Sequence, residues 1–167
     1  MRSSAASDVY KRQVVATPGD PVEACAITKL STNYDGPMYI RLGKAGEKVV
    51  HKEEAIEMNI GDICPIRIVE GNRIAVFACG NILDDARHQI EDNNLPYNLF
   101  SVPFVKPMNI EQLKTIVESH PNGIITIEEH QKSCGMGSAL IEILNDLYVE
   151  GKIRHYPKVK RIAIPDE

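Results

Sequence analysis

Residues 123–140, Gly-Ile-Ile-Thr-Ile-Glu-Glu-His-Gln-Lys-Ser-Cys-Gly-Met-Gly-Ser-Ala-Leu, contain one complete transition from a strand to a helix. The apolar run at 124–127 predicts a buried strand, and Gly135-Met136-Gly137 marks the loop that follows. Helical spacing then continues through four apolar residues: Leu140, Ile143, Leu144 and Leu147. A strand that leads directly into an amphipathic helix is the repeating unit of an α/β protein.

The same alternation extends over residues 61–167 and predicts a three-layer, mostly parallel, twisted α/β sheet. Further strands are expected at 98–102 and 159–164, with helices near 82–90 and 110–117. Two runs, Pro65–Val69 and Arg73–Ala78, flank the turn-forming string Glu70-Gly71-Asn72. This pattern predicts a β-hairpin, which would give the sheet one antiparallel edge.

A smaller strand-helix-strand unit precedes this sheet at residues 14–43. Val14–Thr17 predicts a strand, and Asp20 followed by Pro21 and Glu23 is typical of a helix start. Met38–Leu42 predicts a second strand, and the connection is long enough to make the two strands parallel. Two strands leave sheet edges open, so we expect this unit to fold weakly or to associate with a partner chain.

The composition of the remaining residues indicates a tail and a linker. Residues 1–13 are small and polar and predict a disordered or non-native tail. Residues 44–60 are rich in charge and predict a linker, with a short strand at 48–50. The abrupt start and end of the pattern suggest a piece of a longer protein.

The overall charge and hydropathy exclude several classes of partner. The 167 residues carry 19 basic and 23 acidic side chains, a net charge of −4. Nucleic acids and anionic membranes favour a basic surface, so neither is expected as a partner. No apolar run approaches the ~18 residues of a membrane span, and no signal segment is present, which predicts a cytoplasmic protein.

The four cysteines predict neither a disulfide nor a metal site. They stand at positions 25, 64, 79 and 134, with no Cys-x-x-Cys pair and no His at ligand spacing. Cys25, Cys64 and Cys79 lie in apolar segments and are interpreted as small hydrophobic residues.

Ligands of doubly wound sheets bind beyond the carboxyl ends of the strands. Five segments would share that rim if their strands share a sheet: 18–20, 41–44, 79–81, 103–107 and 128–137. Arg41 can bind a phosphate or carboxylate there, or form an ordinary surface salt bridge. Asp20 is explained as a helix cap, to which a substrate role would be added.

Two polar stretches of the rim have structural and functional interpretations. Glu128-Glu129-His130 is either a polar strand end or part of a metal or acid–base site, although at most two consecutive strand residues point to one face. The Gly135-Met136-Gly137-Ser138 loop opens a helix, so its N–H groups can bind an anion, but close helix–sheet packing explains its glycines equally well. No nucleophile-elbow, Walker or dinucleotide-binding motif occurs.

Together these segments resemble the thiamine-diphosphate-dependent transketolase family over residues 14–167. The strings that carry the resemblance in the second unit are Phe104-Val105-Lys106-Pro107-Met108, Ile125-Thr126-Ile127-Glu128-Glu129-His130, Gly135-Met136-Gly137-Ser138-Ala139 and Ile164-Pro165-Asp166. The resemblance implies that 14–43 is the end of the pyrimidine-binding domain and that 61–167 is a C-terminal domain of transketolase type. It also implies transfer of a two-carbon ketol unit between sugar phosphates.

By the same resemblance, Arg41 matches the arginine that binds the sugar phosphate, and Asp20 matches a carboxylate near the substrate hydroxyls. The family's diphosphate and magnesium motif and its activating glutamate are not found in this sequence. We therefore expect thiamine diphosphate and Mg²⁺ in the complete enzyme but not on this chain, which would have no catalytic, cofactor or metal ligand of its own and would be inactive alone. The implied partners are a missing N-terminal section or subunit and a homodimer-type assembly.

The leading interpretation is the C-terminal subunit of a split transketolase. A 1-deoxy-D-xylulose-5-phosphate synthase would more often carry Tyr-Pro-Arg-Gly at 40–43, and a 2-oxo acid dehydrogenase beta subunit would usually have Gly and Trp after the paired glutamates. Both stay open, as does a non-catalytic module for assembly or anion binding.

Overall fold

The computed structural model describes residues 12–44 and 46–165; most of the predicted tail at 1–13 therefore lies outside the described residues. In this part of the chain the strands are β1 (Val14–Ala16), β2 (Met38–Ile40), β3 (Cys64–Arg67), β4 (Ile74–Cys79), β5 (Asn98–Ser101), β6 (Phe104–Lys106), β7 (Gly123–Gln131) and β8 (Val159–Ile164). The helices are α1 (Pro21–Ser31), α2 (Ile82–Asp92), α3 (Ile110–Ser119) and α4 (Met136–Val149). None of the described helices is long and apolar enough to cross a membrane.

Five strands form the larger sheet, in the order β3-β5-β4-β7-β8. All pair in parallel except β3, which is antiparallel to β5. Side chains of β4 alternate between the two faces: Phe77 packs with residues of α3 and α4, whereas Val76 packs with residues of α2. The sheet is therefore covered on both faces, and the predicted three-layer α/β fold is confirmed.

The predicted hairpin between β3 and β4 is wrong, because β5 lies between these two strands. Pro65 pairs opposite Phe100 of β5 and has no N–H to donate, which suits an edge strand. Beyond the strand, the Val69 N–H donates to Asn98 Oδ1 at 2.7 Å and holds the chain against β5. The antiparallel edge exists, but its partner strand is β5.

The smaller sheet has the order β2-β1-β6, with β1 and β2 parallel as predicted. Helix α1 connects them, and Asp20 is its N-cap: Oδ1 accepts the Glu23 N–H at 2.9 Å. Strand β6 was not predicted. It has only three residues, too few to show a period of two, and it pairs with a strand from a distant part of the sequence. It covers the edge of β1 that we expected to be open.

The two sheets are joined by short backbone connections. The chain passes from β5 to β6 through Val102 and Pro103. The Val102 N–H donates to the Ala78 carbonyl of β4 at 2.8 Å. The Pro103 carbonyl accepts the N–H of Thr17, which follows β1, at 2.7 Å. The carboxyl ends of β1 and β4 therefore lie side by side. Gly80, with φ +78°, suits this contact, because a Cβ there would lie 2.9 Å from Thr17 Cγ2.

The predicted linker packs against both sheets. Val50 belongs to the buried cluster that contains Leu83 of α2, and Met58 belongs to the cluster that contains Phe104 of β6. The short strand predicted at 48–50 is not found; these described residues have no regular secondary structure.

Candidate functional site

A cavity of about 520 Å³ lies between the carboxyl ends of the two sheets. Its lining includes Thr17 after β1, Arg41 after β2, Cys79 of β4, Val105 of β6 and the 128–136 region. Four of the five segments predicted to share a rim therefore contribute to it. The prediction assumed one sheet, whereas two sheets supply this rim.

Arg41 stands at the side of this cavity. Its backbone N–H donates to the Ala16 carbonyl at 2.8 Å, which fixes the chain as it leaves β2. The side chain is exposed and also lines a smaller adjoining cavity of about 70 Å³ together with Gly43 and Asn81. An exposed guanidinium in a concave site can bind a phosphate through two parallel hydrogen bonds.

Asp20 is in a different environment, buried to 1% exposure. Besides the cap bond, its Oδ2 accepts the N–H groups of Val50 and His51, both at 2.9 Å, and lies 3.1 Å from His51 Nδ1. Burial alone would raise the pKa of Asp20, but these hydrogen bonds, led by that of His51, lower it well below its usual value. Asp20 therefore ties the 44–60 segment to helix α1.

Glu128 occupies the helix end that we considered as an anion site. Its buried carboxylate accepts the N–H of Met136 at 2.6 Å and that of Gly137 at 2.9 Å, so it caps α4. A Cβ at Gly135 would clash with Glu128 Oε2. Of the two interpretations of this loop, the structure does not support binding of an external anion, since an internal carboxylate already accepts from the Met136 and Gly137 N–H groups.

Besides Arg41, the exposed polar groups on the rim include Glu129, His130 and Cys134. Cys79, also in the lining, is buried, and this burial, with the nearby Glu128 charge, raises the pKa of its thiol to about 12. A thiol with that pKa stays protonated and is a poor nucleophile. The arrangement therefore favours binding of an anionic ligand by Arg41 over nucleophilic catalysis by Cys79.

Two residues near Asp20 had no functional interpretation in the sequence. Glu23 counted only as part of the helix start, and His51 only as one charge of the linker, yet both side chains are nearly or fully buried. Burial raises the pKa of Glu23. Burial alone would lower the pKa of His51, but the Asp20 hydrogen bond and the Glu23 charge raise it. No local motif marks this contact, because it joins segments about 30 residues apart.

The chain resembles known proteins along most of its length. It is 31% identical over 158 residues to a 1-deoxy-D-xylulose-5-phosphate synthase of Caldanaerobacter subterraneus subsp. tengcongensis, a match that covers 92% of this chain and 24% of that protein. It is 24% identical over 156 residues to one subunit of an apulose-4-phosphate transketolase of Phocaeicola vulgatus, covering 92% of this chain and 46% of that protein. The chain thus spans between a quarter and a half of these relatives.

The fold comparison agrees. A solved structure described as a split gene transketolase, inactive beta4 tetramer, superimposes with a TM-score of 0.77 at 25% identity, covering 93% of this chain and 49% of that one. Residues 66–167 match the family described as transketolase, C-terminal domain. The chain therefore belongs to the transketolase family and carries its C-terminal domain.

Proposed function

We propose that this chain is the C-terminal part of a thiamine-diphosphate-dependent transketolase that transfers a two-carbon ketol unit between sugar phosphates. The observation that carries the proposal is the position of Arg41 on a cavity between the carboxyl ends of two sheets. The relatives support the reaction class, since their names include a transketolase and a synthase of a sugar phosphate.

Arg41 is the proposed phosphate-binding residue. Its planar guanidinium can form two parallel hydrogen bonds to a phosphate, and a second small cavity lined by Gly43 and Asn81 lies beside it. Asp20 is proposed to act near the substrate hydroxyls. Because its oxygens are buried and hydrogen-bonded, direct contact with a sugar would require the segment at 50–51 to move away.

The described rim does not fit the cofactor by itself. Thiamine diphosphate needs donors for its diphosphate and oxygen ligands for Mg²⁺. The N–H groups that open α4 are used by Glu128. Among the described residues, one group of three metal-ligating side chains is found, and none of its members lines the cavity. We therefore propose that the cofactor is held elsewhere, and we derive no catalytic step through it.

The proposed partner is an N-terminal transketolase section or subunit, within a homodimer-type assembly in the cytoplasm. The relatives support this view, because one is a single subunit of a transketolase and another is a split gene transketolase. The isolated chain is proposed to be inactive.

A reconstitution assay tests this function. The chain, thiamine diphosphate and Mg²⁺ are mixed with and without the N-terminal partner, and ketol transfer between phosphorylated sugars is followed. We expect turnover only with the partner. Turnover by the chain alone would contradict the proposed inactivity, and no turnover in any combination would contradict the function.

The role of Arg41 is tested in the active complex. Arg41→Ala should raise KM for phosphorylated sugars, because a binding interaction is lost. Arg73→Ala is the matched control, since Arg73 is exposed and precedes β4 at its opposite end. An unchanged KM in Arg41→Ala would remove Arg41 from the site.

A second candidate is a 1-deoxy-D-xylulose-5-phosphate synthase, favoured by the 31% identity to such an enzyme. The same complex distinguishes them by product when pyruvate is supplied as donor with a phosphorylated aldose as acceptor, since only a synthase would release CO₂ and form deoxyxylulose phosphate. A 2-oxo acid dehydrogenase beta subunit or a non-catalytic assembly module would give neither product.

A further inference from the structure

Three side chains with metal-ligating atoms converge away from the cavity, where α1, the 44–60 segment and β3 meet. They are Glu23, His51 and Cys64, and their ligand atoms all lie within 4.8 Å of one another. The Glu23 side chain is fully buried and that of His51 is 6% exposed. Cys64 is half-buried, and burial together with the nearby carboxylates raises the pKa of its thiol to about 12, so a metal would have to displace the thiol proton on binding.

Two of these ligand atoms have no hydrogen-bond partner. Glu23 Oε2 accepts the Gly19 N–H at 2.7 Å, but Oε1 has no such partner, and neither has His51 Nε2. These two buried atoms face each other at 3.6 Å. Buried polar atoms are normally satisfied, so the pair calls for a ligand or a proton between them.

Asp20 orients the imidazole for such a ligand. Its Oδ2 lies 3.1 Å from His51 Nδ1, which favours the tautomer with the proton on Nδ1 and the lone pair on Nε2. A carboxylate behind a histidine in this way is the usual support of a metal-bound imidazole. Asp20 and Glu23 also place two buried carboxylates around one imidazole, and a cation would compensate their charge.

We propose that Glu23 Oε1, His51 Nε2 and Cys64 Sγ bind a Zn²⁺ ion. Bonds of about 2.0–2.3 Å in a tetrahedron separate ligand atoms by roughly 3.3–3.8 Å, which matches the 3.6 Å between Glu23 and His51. One oxygen, one nitrogen and one sulfur form a set that suits zinc and not Mg²⁺ or Ca²⁺. The fourth position goes to water or to the buried Ser101 hydroxyl, which stands near the Glu23 carboxylate and acts to lower its pKa.

This ion would fasten the 44–60 segment and β3 to α1. None of its ligands lines the cavity and its binding needs neither cofactor nor partner, but it would hold residues 50–51 in place and so keep Asp20 from the direct sugar contact proposed above. The sequence predicted no metal site, since the three ligands come from separate segments without the spacing of a known zinc motif.

Metal binding to the full chain tests the proposal. The chain is dialysed against Zn²⁺ and then against metal-free buffer, and bound zinc is measured by mass spectrometry. We expect one zinc per chain, and a thiolate-to-metal absorption band when Co²⁺ replaces it. Cys64→Ser and His51→Gln should each weaken binding at least tenfold, whereas Cys25→Ser, the matched control at an exposed cysteine, should not change it.

The design keeps folding separate from binding. Circular dichroism checks each variant, and a second measurement uses the unmodified chain: zinc should slow alkylation of Cys64 at least tenfold and leave Cys25 unaffected. Absence of bound zinc together with unprotected Cys64 would overturn the proposal and leave His51 as an imidazolium between two carboxylates. A cobalt band that survives Cys64→Ser would also overturn it, since another thiolate would then be the ligand.

Discussion

The two sheets of this protein obtain their stability in different ways. The larger sheet is covered on both faces, and two buried clusters pack against it. The smaller sheet has one helix, α1, and one cluster, to which the 44–60 segment contributes Met58 and the sequence-distant strand β6 contributes Phe104. Its edge strand β2 leaves Tyr39 52% exposed. The larger sheet thus has a core of its own, whereas the smaller one depends on its neighbours.

The candidate site therefore lies between a sheet with a core of its own and a smaller sheet that depends on neighbouring segments. The larger sheet contributes Glu128, which is fixed by two short hydrogen bonds to α4. The smaller sheet contributes Arg41, just beyond an edge strand. Glu128 is therefore held by the larger sheet and α4, whereas Arg41 follows an edge strand, and local stability is expected to differ between the two sides of the site.

The largest expected losses of unfolding free energy come from substitutions in the cores of the two sheets. Phe77 and Phe104 are both fully buried, and replacing either by Ala should cost about 3–5 kcal/mol of unfolding free energy in its own region. Phe77→Ala should unfold the chain, whereas Phe104→Ala should release mainly the smaller sheet. Hydrogen exchange in each variant measures this. Loss of protection in β4 and β7 of Phe104→Ala would show that both sheets unfold together. In the unmodified chain, high protection across 14–42 in a monomer would contradict the expected weak folding of this unit.

The second prediction concerns the carboxylate that caps α4. Glu128→Gln replaces one acceptor oxygen by an NH₂ group that would face backbone N–H donors, so it should cost about 1–3 kcal/mol. Glu129→Gln is the matched control: Glu129 is adjacent but exposed, and its change should stay within about 0.5 kcal/mol. Urea unfolding measures both. Equal effects at the two positions would contradict the capping role of Glu128.

The sequence predicted the elements that depend on local signals. Asp20 and Pro21 mark the start of α1, and apolar spacing marks α4, because caps and amphipathic faces need only neighbouring residues. Strand β6 and the order β3-β5-β4 depend on pairings between distant segments, which no local pattern records.

The candidate site was predictable to the same extent. The rim and Arg41 follow from the strand ends of an α/β fold, and four of the predicted segments line the cavity. The engagement of Glu128 with α4 could have been suspected from an acidic strand end followed by Gly135 and Gly137, since a carboxylate can reach a helix start only where side chains are absent. The contact of Asp20 with His51 could not, because burial of a charged segment is decided by tertiary packing.

The third prediction concerns the close contact between Gly19, which precedes α1, and helix α2. A Cβ at Gly19 would lie 2.6 Å from Leu83 Cδ2 and 3.2 Å from the Gly80 carbonyl oxygen. Gly19→Ala should therefore destabilise the chain by about 1 kcal/mol or somewhat more, because a side chain of α2 must shift. Thermal unfolding measures it. Gly36→Ala is the control, since the three atoms nearest to its Cβ belong to the half-buried Tyr34 side chain, which has more room to move than the fully buried Leu83. An equal loss there would mean that the contact with α2 is not the cause.

The smallest expected effect concerns the one ion pair found between the 44–60 segment and α2 among the described residues. Lys48 Nζ lies 3.6 Å from Asp84 Oδ2, but the lysine side chain is 73% exposed and Asp84 already pairs with Arg87 at 2.6 Å. Screening by solvent and the retained Arg87 pair should limit the loss in Lys48→Ala to about 0.5 kcal/mol or less. Lys52→Ala, at another exposed lysine of the segment, gives the baseline for removal of one positive charge. The two variants should differ little in urea unfolding and become equal at high salt. A loss above about 1 kcal/mol at low salt that disappears at high salt would show that surface charge holds this segment to the larger sheet, in place of the buried contacts of Val50 and Asp20.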